Sequence, residues 1–75
     1  MGHSLSFGTA DAAVVLSLSA ALADAAATAI GNKVKTANDI DVAIKQAQTM
    51  GGLVGVVVIK DDKIGTWGNV RLVSL

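Results

Sequence analysis

GGLVGVVVIKDDKIGTW, residues 51–67, holds the strongest β signal in this chain. Its first half, 53–60, is dense in Val and Ile, with glycines before it and charges after it. Val56, Val57, Val58 and Ile59 are apolar without alternation, the pattern of a strand covered on both faces. Strand geometry sends Val56 and Val58 to one face and Val57 and Ile59 to the other. Asp61-Asp62 reads as a tight turn, so 63–67 returns as an antiparallel partner. Gly68-Asn69 is a second turn signal, and 70–75 is predicted as a third short strand.

Before this hairpin, Ile40, Ala43, Ile44, Ala47 and Met50 recur at helical spacing and predict an amphipathic helix over 39–50. Thr36, Asn38 and Asp39 are its candidate caps, with Thr36-x-x-Asp39 an imperfect capping box. Asp41 and Lys45 lie at i,i+4 on the opposite side, and Gly51 ends the helix.

Further upstream, 10–30 is rich in helix formers, with Thr9 as an N-cap, Asp11 in the first turn and Gly31 as the stop. Val15, Leu18, Leu22, Ala25 and Ala29 form one stripe at helical spacing. Ser17, Ala21, Ala25 and Ala29 make a ladder of small residues suited to close packing against another helix. A membrane span would need about 20 apolar residues. The uncharged run 12–23 is too short for that, and Asp24 would sit inside the bilayer. A signal peptide would want Lys or Arg before the apolar run, and none is there. Residues 1–8 read as an extended arm. Its Met1-Gly2-His3-Ser4-Leu5-Ser6 start fits the short N-myristoylation pattern.

The expected fold is therefore α+β: helices at 10–30 and 39–50, then a three-stranded antiparallel meander at 53–60, 63–67 and 70–75. Residues 9–75 form one small domain. At 75 residues with 52% apolar content but one Phe and one Trp, the core must come from aliphatic side chains, with burial either unusually efficient or shared with a partner. There is no Cys, so neither a disulfide framework nor a thiolate metal site. Six basic residues balance six acids, all Asp, and leave no net field to attract nucleic acid or anionic membrane.

Little of the sequence suggests catalysis. His3 is the only histidine, and nothing around it fixes it beside a Ser and an Asp. Asp61 and Asp62 read as turn residues rather than metal ligands. Gly51-Gly52 follows a helix and precedes a strand, the reverse of a phosphate-binding loop. Lys33, Lys35 and Lys45 form a basic patch without the aromatic ladder that nucleic-acid stacking uses. Gly55 and Gly65 mark a bulge or a close backbone approach, by a subunit or a ligand. No catalytic residue, cofactor or metal is expected.

The leading expectation is a non-enzymatic structural subunit that works as a homo-oligomer or as a repeated part of a larger assembly. Its interface is expected at Val15, Leu18, Ala21, Leu22, Ala25, Ala29, Val57, Val58 and Trp67. In composition the chain looks like accessory proteins of tailed-phage particles; its location is left open, with cytoplasm or virion favoured over secretion. A ligand-binding module with a pocket between helix and sheet near Gly55 and Trp67 is the alternative; a membrane-active peptide using the first helix is the third reading.

Overall fold

The computed structural model describes residues 2–68. The order of elements is β1 (Gly2–Ser6), β2 (Ala12–Ser17), α1 (Ala20–Lys33), α2 (Asp39–Thr49), β3 (Leu53–Lys60) and β4 (Lys63–Gly68). The strands form one antiparallel sheet in the order β1-β2-β3-β4. This overturns the expected order of two helices followed by three strands. Two strands come first, and the helices are inserted between the central pair. The predicted strand at 70–75 lies outside the described residues.

The error lies in 10–30. Its first half is β2, and only its second half is helical. Ala12-Ala13-Val14-Val15-Leu16 is apolar at every position, so it fits a helix and a strand equally well. The pairing partner decides between them. β2 lies between β1 and β3, with Val15 opposite Val56 and Ala13 opposite Val58. The arm expected at 1–8 is largely β1, tied to β2 through a loop in which Gly8 takes a positive φ of 53°.

Thr9 therefore does not cap a helix start. Its backbone N–H and that of Ala10 donate to the carbonyl of Gly31 (3.1 and 2.9 Å), and its hydroxyl donates to the Gly31 and Asn32 carbonyls. The β1–β2 loop thus supplies donors to carbonyls at the C-terminal end of α1, where the helix has no N–H groups of its own to offer them. Gly31 is inside the helix rather than beyond it, and a Cβ there would stand 3.2 Å from the Phe7 carbonyl oxygen. The true N-cap is Ser19, whose hydroxyl accepts from the Leu22 N–H at 3.3 Å.

α1 buries Ala23, Ala26, Ala27 and Ile30, one face at spacings of three and four, against the sheet. This face is rotated from the stripe read in the sequence: Ala25 and Ala29 are exposed. The alanines let the helix lie close on β1 and β2, and a Cβ on Gly2 would run into the backbone of Ala20. α2 lies over β3 and β4, burying Ile40, Ala43 and Ala47, with Ile44 and Met50 packed beside them. Gly65 in β4 sits beneath Ile40 and Ile44, so the close approach it permits is that of α2.

Asp39 accepts at 3.0 Å from the N–H groups of Thr36 and Lys35, which completes one arm of the expected capping box. These donors, Thr36 first, hold its carboxyl below its ordinary pKa.

At the corner between β2 and α1, Ser17 is fully buried. Its hydroxyl donates to the Gly52 carbonyl at 3.0 Å and accepts from the Ser19 N–H at 3.2 Å. Leu18 donates its N–H to the same carbonyl, so the β2–α1 corner is pinned to the α2–β3 turn. Among the described residues no buried side-chain polar atom lacks a hydrogen bond. None of the described helices is long and apolar enough to cross a membrane.

Two outcomes check this packing. In urea unfolding, Ile30→Ala is expected to lose about 2–5 kcal/mol, the usual cost of emptying a core aliphatic site. Ala25→Leu, on the outer surface of α1, is expected to change stability by no more than about 0.5 kcal/mol. The reverse ranking would return the helix to the phase read from the sequence. For Asp39 the folded pKa is lowered, so its contribution is present above the ordinary carboxylate range and is lost as pH falls through the lowered value. Asp39→Asn should flatten the acid side of a stability–pH curve, and an unchanged slope would remove Asp39 from the account.

Candidate interaction surface

The register divides the sheet into two faces by simple alternation. Toward the helices lie the rows Ser4–Val15–Val56–Trp67 and Ser6–Ala13–Val58–Gly65, each read across β1, β2, β3 and β4. Val15, Val56 and Val58 are fully buried there, and Trp67 packs against the same core from the side of β4. The opposite face carries Leu5–Val14–Val57–Thr66 and Ala12–Ile59–Ile64, with His3 and Leu16 next in line.

Both helices pack on the first face, so among the described residues no helix covers the second. That second face is aliphatic along almost its whole width. Leu5 is 55% exposed and Ile64 52%, at the two edge strands, while Val14, Leu16 and Ile59 are half-buried between them. Val57, at the centre, is only 8% exposed, since its neighbours on β2 and β4 shield it. Charged residues gather instead at one end of the sheet. Asp11 accepts from the Asp61 N–H at 2.6 Å and lies 3.9 Å from the Lys60 ammonium, while Lys60 donates to the Thr9 carbonyl at 2.8 Å. These contacts tie the β1–β2 loop to the β3–β4 turn, where Asp61 takes a positive φ of 56°.

The residues expected to form an interface are distributed over three environments. Val15 and Val58 are in the internal core, and Leu22 and Trp67 lean against it. Leu18, Ala21, Ala25 and Ala29 are exposed, Leu18 at 73%, and the last three share the outer side of α1. Val57 alone belongs to the open sheet face. Sequence reading missed Leu5, Val14, Leu16 and Ile64 there. Ile64 was within reach as the hairpin partner of Ile59, whereas Leu5, Val14 and Leu16 were invisible while β2 was read as helix.

The chemistry-bearing groups stay apart. His3 is exposed on the open side of β1, whereas Ser4 turns the other way and donates to Asp24 of α1 at 3.3 Å. Among the described residues no cluster of His, Cys, Asp or Glu suits a metal ion. Of the pocket expected between helix and sheet near Gly55 and Trp67, Trp67 packs against the core while Gly55, opposite Leu16, stands on the other face of the sheet.

The family described as AbpE bacteria matches residues 1–61. The chain is also similar to a protein called UPF0280 protein in Methanosarcina acetivorans, 48% identical over 75 residues, 99% of this chain and 30% of that protein. The UPF0280 protein of Methanosarcina barkeri is 43% identical over the same shares. That of Methanocaldococcus jannaschii is 41% identical over 73 residues, 93% of this chain and 30% of the relative. The chain thus spans about 30% of the length of the curated relatives it matches. No solved structure matches it.

Replacing edge aliphatics of the open face by Ser is expected to leave the fold intact. Leu5→Ser and Ile64→Ser should keep a near-native melting temperature while lowering the fluorescence of a dye that binds apolar surface. A large loss of melting temperature in both would place these side chains in the core.

Proposed function

We propose, for a chain that belongs to the AbpE bacteria family, a non-enzymatic role as an assembly module that docks through the open face of its sheet. The observation that carries this reading is the uncovered aliphatic surface running from Leu5 through Val14 and Val57 to Ile59 and Ile64. A domain is ordinarily built from layers that bury each apolar face. Here the two helices bury one face of the sheet, and the described residues leave the other for a further layer of polypeptide to bury. The gain from covering apolar surface is about 25 cal/mol per Å². A contiguous aliphatic face is thus a strong drive to associate, and surfaces of this kind mark interaction sites. The face is uncharged along its centre, which fits protein packing better than recognition of an anion.

Substitutions on the two faces of the sheet test the proposal. Val58→Asp places a carboxylate in the core under the helices and should abolish the folded circular dichroism spectrum. Leu5→Asp and Ile64→Asp lie on the exposed edges of the open face. They should preserve the spectrum while removing the association seen by sedimentation. Association that survives both open-face substitutions would end the assembly reading.

A further inference from the structure

We infer that the partner of the open face is a polypeptide layer homologous to the part of the UPF0280 relatives that this chain does not match. This rests on the assembly reading above and names its partner. Three observations lead to it.

The first is size. Four strands about 4.8 Å apart, with about six residues each at 3.4 Å, present a face of only about 400 Å². A stable association between two separate proteins buries about 800 Å² on each side. Two copies meeting face to face on this sheet alone therefore make only a weak contact, seen at high concentration, whereas a layer that covers the face and wraps past its edges makes a stable one.

The second is chemistry. The face offers aliphatic side chains at Leu5, Val14, Leu16, Val57, Ile59 and Ile64, with the ion-paired residues set at one end of the sheet. Its complement is the apolar side of another sheet or helix layer.

The third is the relatives. At 48% and 43% identity over 75 residues they contain this same module, yet more than two thirds of their length lies outside it. A relative that carries the same two-layer unit has the same face to bury, and has the chain with which to do it. That remainder supplies the cover of stated kind: a polypeptide with an apolar layer matched to this sheet.

The absence of cysteine makes accessibility the direct test. Ile64→Cys reports on the open face and Val42→Cys, on the 58% exposed outer side of α2, is the control. In the 75-residue chain at high dilution both thiols should react rapidly with a maleimide. The same two cysteines are then placed in a chimera in which this chain replaces the matched segment of the full-length Methanosarcina acetivorans protein. There the Ile64→Cys thiol should react at least tenfold more slowly, and the Val42→Cys thiol at its former rate. The natural relative with Cys at the two aligned positions gives the same readout without a chimera.

Equal labelling of the two sites in both full-length proteins would overturn the inference. Protection of Ile64→Cys in the 75-residue chain alone, growing with its concentration, would assign the face to a second copy; it would overturn this partner while keeping the assembly role. Rapid labelling of Ile64→Cys in every setting, with Asp substitutions silent in sedimentation, would remove the assembly role as well.

Discussion

The pairing of β2 with β3 is the interaction on which everything else in this fold depends. It sets Val15 beside Val56 and Ala13 beside Val58, and so creates the apolar ground on which both helices rest. It also closes a long connection, since α1 and α2 both lie between the two strands in sequence. The cost of that closure grows slowly with loop length, and the helices offset it by packing back on the strands they connect. β1 and β4 then add by short local hairpins on either side.

The same pairing fixes where the fold is unfinished. Alternation in β2 and β3 makes two apolar faces, and the described residues hold two helices with which to cover them. Both go to one face, because the β2–α1 corner and the α2–β3 turn are fastened to each other through Ser17, Leu18 and Gly52. Alanines at Ala23, Ala26, Ala27, Ala43 and Ala47 keep both helices low on the sheet. This gives a dense but thin core built without aromatic bulk beyond Trp67 at its edge.

Much of the second half of the chain was legible in the sequence. The valine run, the Asp61-Asp62 turn and the face of α2 are each dictated by local chemistry: β-branched residues, a two-residue turn and an apolar stripe at helical spacing. The first half was not. Ala12 to Leu16 has no polar residue to reveal its period, and the following helix continues in the same alanine-rich composition, so two elements read as one. The signals that separate them are Ser17 and Ser19. Ser19 is a helix N-cap and Ser17 a buried hydroxyl serving a turn distant in sequence. A small polar residue within a long apolar helix was a boundary, and its partner was not local. β1 was hidden for the opposite reason: Gly2, Ser4 and Ser6 face the helix side because α1 lies too close for larger residues.

The central claim is that the sheet has one face sealed by its own helices and one aliphatic face open to solvent. Methyl-resolved NMR of the dilute monomer with a soluble paramagnetic agent tests it most directly. Strong relaxation of the Leu5 and Ile64 methyls, with Val15, Val56 and Val58 unaffected, is the predicted result. Uniform protection of all five would contradict it, because the chain would then cover both faces by itself.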